Sequence, residues 1–377
     1  MSLPKKTLAV TAAAAALALL GTSTAHADPP KPKVLAKGGL VGVLSVAYGG
    51  GKAYFTDNFA GPLYVSQPGK KRPKVLYAPK APFAAEGVAY RHGEVVFGMD
   101  KNQGKPSAMS FLMRLTAPGK AERVADLLAF EKAKNPDGKV TYGTKGLPKA
   151  CRDQVAGHPA AAFVLPYKGI VESHPYAIAA TKKAYYVADA AANDIVKVTK
   201  SGKVSAVAVL PPFTKKITAD DVAGDPSTTD DDLPACLIGH TYVSEPVPTG
   251  VQVGSHGKLY VTTLPGGLGL GGPAGSLYSI NPKTGKTKVV VSGLVSPTGV
   301  AVRPNGDVYV SQLFPGMIGR IKAGSTTLKP HAHANGVAAL TWSAKGLVAA
   351  LSPSVLTAED PSAPPPSPNA KVVLYKK

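Results

Sequence analysis

Three observations predict an all-β fold, a six-bladed β-propeller: a four-strand pattern repeated six times, a composition rich in turn residues, and chain ends suited to pairing with each other. The pattern is a short apolar strand, a tight glycine turn, a second strand ending in a polar residue, and then two more strands. Its best copy is PTGVAVRPNGDVYVSQL at 297–313, followed by GMIGRI and STTLKPH. The others begin at Leu44 (LSVAYGGGKAYFTDN), Glu86 (EGVAYRHGEVVFGMD), Tyr176 (YAIAATKKAYYVADA), Thr249 (TGVQVGSHGKLYVTT) and Asn335 (NGVAALTWSAKGLVAAL). Alternating strands recurring at this period are the mark of propeller blades. The chain is 44% hydrophobic with 40 Gly and 35 Pro, so it can bury a large core and still turn often.

The ends predict how the ring closes. The last unit stops at its third strand, AKVVLYKK, whereas PKVLAKGGL at 32–40 has the character of an outer strand with no blade ahead of it. Pairing the two removes an exposed sheet edge. Repeats that stack only on their neighbours count as one domain, so 28–377 is expected to be a single propeller.

Residues 1–27 are expected to be a signal peptide. Lys5 and Lys6 precede an apolar run from Leu8 to Leu20, and Ala25-His26-Ala27 has the small-x-small pattern cut by signal peptidase. The run is too short to span a bilayer, and no later segment reaches about 18 apolar residues. A secreted monomer without a membrane anchor is the expectation.

Loop lengths point to one working face. The turns joining strands 1–2 and 3–4 of each unit are short, while the excess length falls in the 2–3 loops and the links between units. It includes 264–275, 352–370 and two insertions at about 129–173 and 211–247. Loops this long in a compact domain are usually functional or disordered. Cys151 and Cys236 fall one in each insertion, and in an exported protein they are expected to form a disulfide that holds a cap over that face. Their spacing does not suit zinc.

Four segments carry a resemblance: ADLLAFEKAKNPDG (125–138), SHPYAIA (173–179), VADAAANDIVKV (187–198) and EPVPTGVQVGSHGKLYVTTLPGG (245–267). Together they resemble the ScyD/ScyE family of exported proteins with NHL-like and SMP-30-like repeats. The resemblance implies export and a six-bladed propeller, and some members are associated with production of the pigment scytonemin. It carries no catalytic residues across.

Aligning the six units nominates residues for the mouth of the central channel. The position before the Gly/Ala-Val step is Leu44, Glu86, Tyr176, Thr249, Thr298 and Asn335, and strand 2 ends at Asp57, Met99, Asp189, Thr263, Gln312 and Leu351. Glu86, Tyr176, Asp189, Thr249, Thr298 and Asn335 are therefore the candidate ligand-binding residues. In similar enzymes of SMP-30 type, a Glu, an Asn and an Asp hold a divalent cation, usually calcium. Here Glu86, Asn335 and Asp57 or Asp189, of which Asp189 is preferred, could supply that set. The alternative, preferred at this level, is a polar channel lining bonded to backbone and water. His174, two positions before Tyr176, is a weak candidate for an acid or base with Asp189 nearby. No nucleophile motif accompanies it. His331 and His333 read as a solvated strand edge.

The acidic stretch with Asp220, Asp221, Asp225 and Asp230-Asp231-Asp232 lacks the spacing of an EF-hand loop and reads as a solvated loop. PSAPPPSP at 361–368 reads as a stiff projection. Net charge is +20, or +18 without Lys5 and Lys6, which predicts attraction to anionic cell-wall polymers. The lysines are scattered through turns and form no basic stripe interleaved with aromatics, so specific nucleic-acid recognition is not expected. The function expected is a binding or scaffold module that engages an extracellular ligand or partner through the long-loop face. The alternative is a divalent-cation-dependent hydrolase or lactonase of SMP-30 type.

Overall fold

Short alternating strands joined by tight glycine turns pair most readily with their chain neighbours, and most of the chain builds antiparallel sheets in that way. The computed structural model describes residues 31–223, 232–267, 274–356 and 367–377. The expected signal peptide, the 268–273 part of the long loop, Asp225, Asp230, Asp231 and most of PSAPPPSP lie outside them.

Among the described residues there are seven four-stranded sheets. Five run in simple chain order and are numbered here by position: sheet 1 starts at Val43–Gly49, sheet 2 at Ala84–Arg91, sheet 3 at Pro175–Ala180, sheet 4 at Pro246–Val253 and sheet 5 at Pro297–Val302. Sheet 6 is made of Val337–Ser343, Gly346–Leu351 and Lys371–Lys376, and its fourth strand is Lys33–Lys37 from the other end of the chain. That strand pairs antiparallel with Lys371–Lys376, Lys33 opposite Leu374 and Lys37 opposite Lys371. Each first strand packs on the first strand of the next sheet, and that of sheet 6 packs on that of sheet 1.

A shared apolar core fills every seam between successive sheets. Tyr54 of sheet 1 stacks on Tyr90 of sheet 2 at 5.1 Å, and Tyr309 of sheet 5 on Trp342 of sheet 6 at 5.2 Å. Phe55, Val348 and Val372 bury the seam between sheets 6 and 1, while Ile195, Val261 and Ile280 bury that between sheets 3 and 4. Polar side chains cross the seams as well. Ser45 Oγ accepts from the Val88 amide at 2.9 Å, Thr249 donates to the Pro297 carbonyl at 2.6 Å, and Ser352 donates to that of Val43 at 2.9 Å.

The first strands carry a β-bulge at the same place in all six sheets, just after residue 43, 85, 175, 248, 297 or 337. In five sheets the residue inside it is one that the repeat alignment nominated: Leu44, Glu86, Tyr176, Thr249 or Thr298. Sheet 6 corrects the alignment. Val337 pairs with Leu351 as Pro297 pairs with Gln312, so the equivalent of Thr298 is Ala338, and Asn335 lies three residues earlier. Asn-Gly-Val looks like Thr-Gly-Val, but Gly336 has φ +67° and belongs to the turn leading into the strand.

The seventh sheet was not foreseen. Both insertions contribute to it, in the strand order Tyr167–Lys168, Thr141–Thr144, Thr241–Ser244, Phe213–Lys216. Helices α1 (Leu127–Lys134), α2 (Lys149–Ala156), α3 (Ala161–Val164) and α4 (Ala219–Val222) belong to the same insertions. Cys151 and Cys236 are disulfide-bonded, and Leu147, Val155, Val164, Ile217, Leu237 and Tyr242 pack with Cys151 in a separate apolar cluster. The insertions thus fold together into one unit, the expected cap. Asp220 and Asp221 lie in the first turn of α4, where Asp221 completes a capping box with Thr218. His331 lies edge-on to Tyr309 at 5.0 Å, and His333 is exposed.

Close approach of the first strands makes Gly299 irreplaceable: a Cβ there would lie 2.8 Å from Ala339 Cα and 2.8 Å from Leu340 N. Gly299→Val is expected to cost about 3 kcal/mol or more in denaturant unfolding. Gly157→Ala is the control, since its Cβ meets nothing closer than 3.8 Å, and it should stay within about 0.5 kcal/mol of the parent. The disulfide closes a sequence separation of 85 residues. Cys151→Ser/Cys236→Ser should lose about 4 kcal/mol. Hydrogen exchange should then rise in Thr141–Thr144 and Thr241–Ser244 while sheets 5 and 6 stay protected.

Candidate functional site

A bulge turns one side chain out of the strand's regular alternation, which is why bulges recur beside functional sites. Four of the six bulge residues do nothing of that kind here. Thr249 and Thr298 are buried and bond across seams, Thr298 to the Val337 carbonyl at 3.4 Å, and Leu44 and Ala338 carry no polar group. The space where all six first strands meet is about 30 Å³, room for little more than a water molecule. Glu86 and Tyr176 remain, from neighbouring sheets.

Glu86 is buried, and its Oε2 accepts a short hydrogen bond from Asn58 Nδ2. His174 leaves the cap immediately before sheet 3 and keeps 28% of its side chain exposed. Its Nδ1 makes a short contact with Asp100 Oδ2, and its Nε2 lies 3.9 Å from Glu86 Oε2. Gln103 Nε2 donates to Asp100 Oδ2 and to the Ser173 carbonyl, both at 2.7 Å. Tyr176 lies beside the imidazole, ring centroids 5.9 Å apart. Sheets 1, 2 and 3 and the cap exit thus build one polar mouth, with an imidazole between two buried carboxylates.

The electrostatics follow from burial and charge. Burial pushes the Glu86 carboxyl up to about 7, with the Asp100 charge adding to it and His174 and Asn58 opposing. For His174 burial pulls down, but the bond to Asp100 and the charges of Glu86, Asp100 and Asp189 outweigh it and hold the imidazole at about 9. Burial and the Glu86 charge raise Tyr176. Near neutral pH the mouth therefore presents an imidazolium whose Nδ1 is engaged and whose Nε2 is beyond hydrogen-bond reach of Glu86.

The residues at the ends of the second strands have another job. Asp57 accepts from the amides of Val41 at 2.8 Å and Gly42 at 3.0 Å. Asp189 accepts from the amides of His174 at 2.6 Å and Ala192 at 3.3 Å, with the Ser173 hydroxyl at 2.5 Å. Gln312 Oε1 accepts from Val295 N at 2.7 Å. Each clamps the segment leading into its own sheet. The cation set expected from Glu86, Asn335 and Asp189 does not fit: both Asp189 oxygens serve the clamp, Glu86 serves Asn58 and faces His174, and Asn335 is exposed outside the bulge register. Among the described residues no three His, Cys, Asp or Glu side chains are gathered to hold a metal.

Asn58, Asp100 and Gln103 were missed by sequence reasoning. Asn58 and Asp100 each follow directly after the strand-ending residue that the alignment selected, Asp57 and Met99, so the signal lay one position further on. A second missed group lies under the cap, where Glu131, Asp137, Asp194 and Asn193 are all buried. Burial is the first cause that raises each of its carboxyls, Glu131 to about 8, and the repulsion among Glu131, Asp137, Asp189 and Asp194 adds to it for Glu131 and Asp194. Between cap and sheet 4 a cleft of about 220 Å³ is lined by Pro211, Phe213, Pro246, Pro265 and Tyr278.

No protein-family model matches the chain, and no curated protein does. Solved structures do. It is similar to the PQQ-bound aldose sugar dehydrogenase of Streptomyces coelicolor at 13% identity and TM-score 0.51, covering 92% of this chain and 98% of that one. Similarity to a putative oxidoreductase (glucose dehydrogenase) of Thermus thermophilus is at 12% identity and TM-score 0.52, covering 91% and 99%. A calcium-binding protein, regucalcin, of Agrobacterium tumefaciens aligns at 12% identity and TM-score 0.50, covering 92% and 94%. At these identities the likeness is one of fold, and that fold is the β-propeller. No helix among the described residues is long and apolar enough to cross a membrane, and the disulfide is compatible with an extracellular protein.

A titration tests the mouth. The His174 resonances should titrate near pH 9 by NMR, and at a lower pH in Asp100→Asn, which removes the bond and the charge that raise it most. A pKa raised on folding adds stability that is complete below pH 6.5 and disappears as pH rises through about 9. The stability difference between the parent and His174→Gln should shrink over that window. Glu86, raised from 4.5 to about 7, favours the folded state in its neutral form. Glu86→Gln should accordingly gain on the parent as pH rises from 4.5 to 7.

Proposed function

We propose that the chain is a secreted six-bladed β-propeller, cleaved after Ala27 and closed by the Lys33–Lys37 strand, that acts as a binding module of ScyD/ScyE type. Six sheets with a common bulge, first strands packed in cyclic order and the pairing of the chain ends support the architecture. The four segments of sequence resemblance support the family. Its site is the polar mouth of Glu86, Asp100, His174 and Tyr176 at the cap's edge, and its ligand is an oxygen-rich, anionic polymer of the cell exterior.

The observation that carries this reading is the clasped imidazolium. His174 spends Nδ1 on Asp100, stays partly exposed, and retains Nε2–H for a ligand oxygen. Charge-assisted bonds of that kind are stronger than neutral ones. Asn58, Gln103 and Tyr176 border the same opening, and the net charge of the whole chain draws polyanions toward it.

A second reading, proton-transfer hydrolysis, draws on Glu86 being held near 7 beside His174, a suitable range for a general base. A divalent-cation-dependent hydrolase is less well supported, because Asp189 and Asn335 do not join Glu86.

Glycerol-phosphate oligomers, the repeat of teichoic-type polymers, are the probe. They should shift the His174 resonances on titration, and His174→Gln should bind about tenfold more weakly. No shift, or equal binding by the variant, rejects the reading. Turnover of lactones or esters that is lost in Glu86→Gln would establish the hydrolase instead.

A further inference from the structure

The turns across which the sequence scatters its lysines are gathered by the fold at one end of the sheets. Each of sheets 1 to 5 is antiparallel in chain order, so its first-to-second and third-to-fourth turns leave by the same end. The six first strands also share a direction. Bulge-side residues meet bulge-side residues, since Cβ atoms on Gly87 and Gly299 would each lie 2.8 Å from Ala177 Cα and Ala339 Cα, respectively. At the other end a Cβ on Gly49 would lie 1.9 Å from the Tyr90 ring. The turns therefore emerge together, opposite the mouth of Glu86, Asp100 and His174.

Every first-to-second turn carries a basic residue within it or at its edge: Lys52, Arg91, Lys183, Lys258, Arg303 and Lys345, all exposed except the half-buried Arg303. The third-to-fourth turns of sheets 1 to 5 add others, from Lys71 to Lys322, and the strands that pair in sheet 6 add Lys33 and Lys376. Among the described residues the side-chain carboxylates at this end are Glu94, Glu122 and Asp307, and each is already taken. Glu94 pairs with Lys200 and Arg114, Glu122 with Arg114, and Asp307 with Arg320 at 2.6 Å. Lys52, Lys183, Lys258 and Lys345 have no ion-pair partner among the described residues. Elsewhere the charges are interleaved, as in the Lys149–Asp153 and Lys215–Asp221 pairs of the cap. Exposed large hydrophobic side chains also lie elsewhere, Phe59 and Phe314 in second-to-third links, and Val75 and Val289 on outer strands.

We propose that the turn end is a docking surface for the anionic headgroups of a lipid bilayer, which holds the protein with its mouth facing away. Positive charge spread over a broad end matches a plane of phosphates, whereas a thread of polyanion is tracked by a groove. Lysine is a hydrated point charge on a flexible stem and adapts to mobile headgroups, while fixed bidentate recognition calls for arginine. With the exposed hydrophobic side chains placed elsewhere, the contact is electrostatic and does not insert. Each basic residue close to an anionic surface strengthens binding about fivefold. The surface is separate from the mouth and independent of the ligand proposed there.

The sample is the chain from Asp28, which holds every described residue and lacks the apolar run from Leu8 to Leu20, itself able to enter lipid. Vesicles of equimolar phosphatidylglycerol and phosphatidylcholine are the probe, and pure phosphatidylcholine is the neutral surface. The protein should sediment with the first and not with the second, and it should be released as salt rises to about 1 M, where the Debye length is about 3 Å. Lys52→Glu/Lys183→Glu/Lys345→Glu should weaken binding about a hundredfold or more. Lys80→Glu/Lys139→Glu/Lys145→Glu has the same net charge but changes the link to sheet 2 and the cap, and it should bind within about threefold of the parent. His174→Gln should bind as the parent does. Hydrogen exchange of the parent should slow at 181–183 and 344–345 on the anionic vesicles, and this decides alone should the turn variant misfold. Absence of binding to the anionic vesicles, equal weakening in the two triple variants, or loss in His174→Gln overturns the surface. Retention on glycerol-phosphate oligomers but not on vesicles, lost in the turn variant, assigns the end to a polymer and overturns it as well.

Discussion

The crowding of six first strands against one another is the constraint from which the rest of this structure follows. Where neighbouring backbones come within a Cβ of contact, only a small residue fits. A Cβ on Gly87 would lie 2.8 Å from the Pro175 and Tyr176 carbonyl oxygens, and one on Gly299 2.8 Å from Ala339 Cα and Leu340 N. The small residue of the Gly-Val step is thus the mark of an inner strand, and Ala177 and Ala339 take the same register position. The bulge just before it sets that approach and turns one side chain per sheet away from the strand's alternation. The shared apolar cores then fill the widening seams outside.

Function grows out of the places where this regularity is broken. Three of the sheets clamp their own lead-in segment with the residue at the end of the second strand, and in sheet 3 that clamp is Asp189. By holding the amide of His174 and the hydroxyl of Ser173, Asp189 sets the imidazole between carboxylates supplied by sheet 2. The cap contributes as well, because its last segment is the one being clamped. A carboxyl used up as a clamp leaves the imidazole, not the carboxyl, facing the opening.

Burial pushes up the carboxyls of both acidic groups, Glu86 at the mouth and Glu131, Asp137 and Asp194 under the cap, with different consequences. At the mouth Glu86 has His174 and Asn58, and the result is a balanced cluster. Under the cap none of Glu131, Asp137 and Asp194 has an ion-pair partner among the described residues, and neither oxygen of Asp194 has a hydrogen-bond partner. The physical difference is the missing counter-charge.

How far the sequence carried can be judged residue by residue. Local periodicity determined the strands, their glycine turns, the outer character of the Lys33–Lys37 segment and the equivalence of Glu86, Tyr176, Thr249 and Thr298. It misplaced Asn335, because a turn glycine imitates an inner-strand glycine when only neighbours in sequence are compared. The two cysteines announced a link between insertions, yet the sheet those insertions form pairs Thr141–Thr144 with Thr241–Ser244, about a hundred residues apart on the chain and without a repeat to betray it. Asp189 looked like a ligand and is a clamp, while Asn58 and Asp100, one position past the residues the alignment selected, line the mouth. Strand pattern is a property of neighbours along the chain, so the sequence alone determined it. Which carboxylate meets an imidazole and which meets an amide depends on seams between sheets far apart in sequence, and only the tertiary structure decided that.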